Sequence, residues 1–115
     1  MSTPAPALSA TPGGATVAIE LAGCRTKADL LARIAVALRF PPWFGHNWDA
    51  LSDCLTDLSW LPASAYVIEL HHFDDLRTSA PDVAATVLEI FAEAAAFWAD
   101  QGIGFSVNQG DRTVG

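Results

Sequence analysis

Asp49, Asp53 and Asp57 recur at four-residue intervals, the spacing that lines side chains along one stripe of an α-helix. Carboxylates held that way accept charge-assisted hydrogen bonds from the lysines and arginines of a partner. Like charges at this spacing cost an isolated helix roughly 0.2–0.5 kcal/mol per pair, and Asp57 lies at the end the helix dipole disfavours. Helix stability alone does not select the pattern, which leaves a partner-binding stripe or a solvated acidic face. Paired carboxylates also suit glycosidase-like acid–base work, but an acidic helix face with no cleft in prospect argues against it. His71-His72 followed by Asp74-Asp75 offers metal-ligand types. Neighbouring residues at a strand end point to opposite sides, and no second cluster completes the set, so a satisfied or surface pair of histidines is expected. Cys24 and Cys54 form no C-x-x-C, and no Gly-rich phosphate loop or G-x-S-x-G occurs. Cys54 reads as a small buried hydrophobe. The expectation is a protein that is not an enzyme, with no metal and no cofactor.

The stripe needs a helix to carry it. Asn47 is a good N-cap for a helix from about Trp48 to Leu58. Trp48, Leu51, Leu55 and Leu58, with Cys54 beside them, project to one side of it; Asp49, Ser52, Asp53, Thr56 and Asp57 project to the other. The preceding loop, Trp43-Phe44-Gly45-His46, carries two aromatics that either pack over the end of the helix before it or serve as exposed anchors. His46 is either a loop contact or a solvent-exposed side chain. Upstream, Thr26 and Asp29 have capping-box spacing ahead of Leu30, Ile34 and Leu38, and Pro41-Pro42 stops that helix. Ser79 and Asp82 repeat the spacing, with Pro81 in the first turn of a long helix whose buried face runs Val83, Val87, Ile90, Phe91, Ala94, Trp98. Gln101-Gly102 ends it.

Three segments alternate apolar and wetter positions: Val17, Ile19, Leu21; Tyr66, Ile68, Leu70; and Ile103, Phe105, Val107. Period two predicts strands with one covered face, since strands buried on both sides read as continuous apolar runs. The order β-α-α-β-α-β has long connections, which favour parallel pairing. The expected fold class is α/β, two-layered, with helices packed on one face of a three-stranded sheet. Residues 1–14 are small and rich in proline and glycine and read as a disordered tail, 15–108 as the folded domain, and 109–115 as a C-terminal tail.

Thirteen acidic residues against six basic ones give a formal charge of −7 over 115 residues. A nucleic-acid binder carries the opposite footprint, and a basic macromolecule is the natural partner. No apolar run is long enough for a membrane span. The two cysteines suggest a reducing compartment, and no basic-then-apolar leader opens the chain, so a cytoplasmic location is expected.

The run FPPWFGHNWDALSDCLTDL, residues 40–58, strongly resembles the corresponding stretch of the barstar family of intracellular ribonuclease inhibitors. Its pattern is an aromatic pair followed by Gly-x-Asn-x-Asp-Ala-Leu-x-Asp-Cys-Leu-Thr. Here that pattern reads Trp43, Phe44, Gly45, Asn47, Asp49, Ala50, Leu51, Asp53, Cys54, Leu55, Thr56. The likeness extends over the folded body, including Val87–Ala94. It implies parallel strands in sequential order 1-2-3. It also implies that Asp49 and Asp53 enter a ribonuclease active site, and that Trp43, Gly45, Asn47, Thr56 and Glu93 sit at contact positions. With Phe44, His46, Ser52 and Asp57 from the loop and stripe, these make up the expected partner-binding surface. Several positions depart from the family. Trp43 and Phe44 stand for two tyrosines, Ser52 stands for a tryptophan, and a second acidic contact has no counterpart near Phe97. The expected function is inhibition of a small basic extracellular-type ribonuclease, by a chain that is monomeric when free. The alternative is a protein-interaction module of the same fold without that activity.

Overall fold

The computed structural model describes residues 14–109 in full and residues 8–11 by their backbone. Alternation builds the sheet. β2 (Gly14–Glu20) buries Ala15, Val17 and Ile19, and β3 (Ala65–His71) buries Tyr66, Ile68 and Leu70. β4 (Gly104–Asn108) buries Phe105. These three strands pair in parallel in the order β2-β3-β4, with Val17 opposite Ile68 and Ile68 opposite Val107. This is the expected sequential parallel sheet. The alternate residues Thr16, Ala18, Val67 and Glu69 are only half-covered, so the helices pack on one face.

A fourth strand corrects the expected tail. β1 (Leu8–Thr11) pairs antiparallel with β2, Leu8 opposite Val17 and Thr11 opposite Gly14. Such a strand covers an edge that would otherwise expose unpaired backbone groups. The tail expectations for residues 1–7, 12–13 and 110–115 lie outside the described residues.

The helices are α1 (Lys27–Ala37), α2 (Trp48–Leu55), α3 (Phe73–Ser79) and α4 (Pro81–Asp100). Thr26 caps α1 as its spacing predicts, its Oγ1 accepting the Asp29 N–H at 3.1 Å. α3 was not expected. It follows His72, which is left-handed at φ 60°, and buries Phe73 and Leu76. Because α3 takes up Ser79, the expected Ser79 cap does not form; Ala80 stands at the start of α4 without a side-chain cap, and Pro81 begins the helix. The two histidines diverge as expected: His71 Nε2 meets Glu69 Oε1 at 3.2 Å, and His72 Nδ1 meets Glu20 Oε2 at 2.6 Å.

Three aromatic side chains lend a polar tip to a backbone carbonyl at a chain reversal. Trp60 Nε1 donates to Leu38 O at 3.0 Å, Tyr66 Oη to Leu61 O at 2.7 Å, and Trp98 Nε1 to Leu55 O at 2.7 Å. Leu38 and Leu55 close α1 and α2, so two of the carbonyls belong to helix C-termini, which lack partners within their own helix.

The loops at the C-terminal ends of β2 and β3 are cross-braced. Asp75 Oδ2 accepts the Gly23 N–H at 2.8 Å, and Arg33 Nη1 donates to the carbonyls of Glu20 and Ala22. Burial works to raise the Glu20 carboxyl pKa. The hydrogen bonds from His72 and from the Ala22 N–H, with the His72 and His71 charges, outweigh it and hold the group below its ordinary value. A lowered carboxyl pKa stabilises the fold above the ordinary glutamate range, and that stabilisation disappears as pH falls through it.

Trp98→Phe keeps most of the ring but strands a buried carbonyl, and is expected to cost about 1–3 kcal/mol in urea unfolding. Glu20→Gln is expected to lower the urea midpoint at neutral pH. The gap from wild type should narrow as pH falls through the lowered Glu20 pKa; a gap that does not change with acidification would place the effect elsewhere.

Candidate functional site

α2 has eight residues, and a helix so short is marginal without tertiary support. Asn47 holds its start: in extended geometry, its Oδ1 accepts the Ala50 N–H at 2.8 Å while Nδ2 donates to Gly45 O at 3.3 Å. Gly45 permits this closeness, because a Cβ there would lie 3.2 Å from Asn47 Nδ2 and 3.6 Å from the Ala50 methyl. Lys27 Nζ lies over the Trp48 ring, 4.9 Å from its centre. Trp98 holds the other end, and Leu51, Cys54 and Leu55 are fully buried beneath.

The outer side carries the charge. Asp49 and Asp53 are exposed one turn apart, with Ser52 and Thr56 half-buried beside them. Burial, with the Asp53 and Asp57 charges, pushes the Cys54 thiol pKa up, so Cys54 stays a neutral apolar filler.

The stripe is shorter than expected. α2 stops at Leu55 rather than Leu58. Thr56 Oγ1 donates to Ser52 O at 2.9 Å, the N–H groups of Asp57 and Leu58 both point to Cys54 O, and Leu58 turns left-handed at φ 49° while remaining buried. Asp57 is exposed in that turn, next to the helical stripe rather than on it.

The adjacent aromatics part company. Trp43 is 66% exposed, whereas Phe44 is 5% exposed, with its ring 4.9 Å from Phe40 and 4.7 Å from His46. Phe44 is therefore a packing residue and is withdrawn from the expected contact surface. His46 is exposed and left-handed at φ 52°, its Nδ1 3.1 Å from Phe44 O. Glu93 is exposed on α4, whose buried Trp98 reaches α2. Phe97, four residues on from Glu93, is 39% exposed. Its place between Glu93 and Asp100, outside the apolar period of α4, is the sequence signal that marks it.

This arrangement has the parts of a docking surface. Fixed carboxylates can accept from cationic side chains, and an exposed indole stands nearby. Among the described residues, no group of three His, Cys, Asp or Glu side chains could hold a metal ion, and no helix is long and apolar enough to cross a membrane.

Asn47→Ala is expected to cost about 1 kcal/mol of stability through the lost cap. Gly45→Ala should cost less in the wild type and almost nothing in the Asn47→Ala background, since its clash is with the capping amide. Urea unfolding of the double-mutant cycle measures this; additive costs would refute the coupling.

The model of one protein family, described as Barstar (barnase inhibitor), matches residues 14–109, from the first residue of β2 to one residue past β4.

Proposed function

The chain belongs to the barstar family, and on that premise we propose that it inhibits a small basic ribonuclease by seating the outer side of α2 in the enzyme's active site. The observation that carries this reading is the pair of exposed carboxylates, Asp49 and Asp53, on a helix pinned at both ends within the matched span. A ribonuclease active site must hold phosphate, so it is a cleft of cationic side chains. Carboxylates one helical turn apart replace the phosphates and satisfy those cations by charge-assisted hydrogen bonds. Being preorganised, they lose little entropy on binding. Trp43, Gly45, His46, Asn47, Ser52, Thr56, Asp57 and Glu93 form the surrounding contacts. No catalysis is asked of this chain, which acts as a monomer in the cytoplasm. Its charge of −7 speeds encounter with a basic enzyme.

The test is titration of the full chain into RNA-cleavage assays of small basic ribonucleases, beginning with barnase. Stoichiometric inhibition at micromolar concentration or below is expected. Binding without loss of cleavage would leave an interaction module of the same fold.

Asp53, at the centre of the surface, is expected to behave as a desolvated charge. Asp53→Ala should raise the dissociation rate and cost about 2–5 kcal/mol of affinity. Asp57→Ala, in the exposed turn, should chiefly slow association, with an effect that fades at high salt. Both variants should retain wild-type melting temperatures. Stopped-flow kinetics at two ionic strengths separate the cases, and equal, small effects on both rates would mark the carboxylates as merely solvated.

A further inference from the structure

Two exposed aromatics stand at opposite ends of α2. Trp43 lies in the loop before its start, while Phe97 belongs to α4 and is tied to its finish. The Phe97 ring meets the Trp98 ring edge-on, with centroids 5.2 Å apart and planes at 85°, and Trp98 Nε1 is bonded to the carbonyl of Leu55, the last residue of α2. Phe97 is thus a braced ring rather than a loose one. Its surroundings on α4 are acidic: Glu89, Glu93 and Asp100, at eight and four residues before it and three after, are all exposed. Packed on Trp98, the ring still leaves 39% of its residue in water amid carboxylates, and rigid aromatics are the side chains that concentrate binding energy at interfaces.

The charge of the chain argues for what covers it. A second copy would bring the same acidic stripe against itself, which the net charge of −7 opposes. A basic partner is drawn to the carboxylates and meets the ring in the same approach.

We propose that Phe97 is a specificity-determining contact, seated against an apolar patch on the lip of the partner's cationic cleft at the end of α2 opposite Trp43. This rests on the ribonuclease-inhibitor reading and narrows it: among basic ribonucleases, the chain selects those whose active-site rim is apolar on that side. Charge on α2 drives encounter with any basic enzyme, and the ring discriminates among them through a contact that salt does not screen.

The experiment compares the full chain with F97A, F97L, F97E and V36A. Val36 is a more exposed apolar side chain, at 78%, on α1. Association and dissociation rates are measured by stopped flow against barnase and a panel of small basic ribonucleases, at low and high salt, with melting temperatures as a folding control. For the ribonucleases that the wild type binds most tightly, F97A is expected to raise the dissociation rate about tenfold or more at both salt concentrations. F97L should retain most of the affinity, F97E should lose more than F97A, and V36A should match wild type. If F97A and F97E match wild type while Asp53→Ala loses affinity, the proposal is overturned and the inhibitor reading stands. An F97A effect that vanishes at high salt overturns it as well. If the wild type binds no ribonuclease in the panel, the inhibitor reading falls and this proposal falls with it.

Discussion

The hydrogen bond from the Trp98 indole to the Leu55 carbonyl joins the longest helix to the shortest one that matters. α2 would not persist on its own, yet the candidate site is mostly α2. Its last turn offers carbonyls with no partner inside the helix. Trp98 answers one of them from a buried position and at the same time supports Phe97. Trp60 and Tyr66 repeat the device at Leu38 and Leu61, so the path from α1 through α2 into β3 is held at each reversal by an aromatic with one polar atom.

Holding α2 from beneath frees its outer side. Asp49 and Asp53 repel one another, and a helix selected for stability alone would not carry both. Burial of Leu51, Cys54 and Leu55 offsets that repulsion, and the cap at Asn47 adds to it. The carboxylates are therefore presented to a partner in a geometry already set before binding. The same logic governs the loop: Phe44 is committed to the interior, and that commitment leaves its neighbour Trp43 in solvent. Gly45 then lets the backbone come close enough for Asn47 to reach both Ala50 and its own loop.

His71, His72, the two cysteines and the carboxylates of Glu20, Glu69 and Asp75 serve the fold. His71 and His72 go to different carboxylates, Asp75 braces the loop at Gly23, and burial raises the pKa of both thiols. Chemistry-bearing residue types are thereby dispersed among separate structural contacts, while the carboxylates of α2 face outward together.

Local pattern was sufficient for a good part of this molecule. The parallel strands, α1 with its Thr26 cap, the start of α2 at Asn47 and the burial of Cys54 follow from periodicity and capping chemistry, which act over a few residues. Other features depended on distant partners. β1 exists because β2 has an edge to pair with, and a short stretch beside Pro12-Gly13 does not announce that partner. α3 has no side-chain cap and starts from a left-handed His72, so no local signal marks it. The end of α2 was set by the buried, left-handed Leu58, which removed Asp57 from the stripe. In the irregular loop no periodicity tells Trp43 from Phe44, and the space beside Phe40 decided which ring went inside. Phe97 was visible as a residue type, but its fixed position at the end of α2 came from Trp98 reaching a carbonyl 43 residues away in sequence. Sequence determined which elements form wherever the forces are local; tertiary structure decided which of their side chains face a partner, because that depends on what packs behind them.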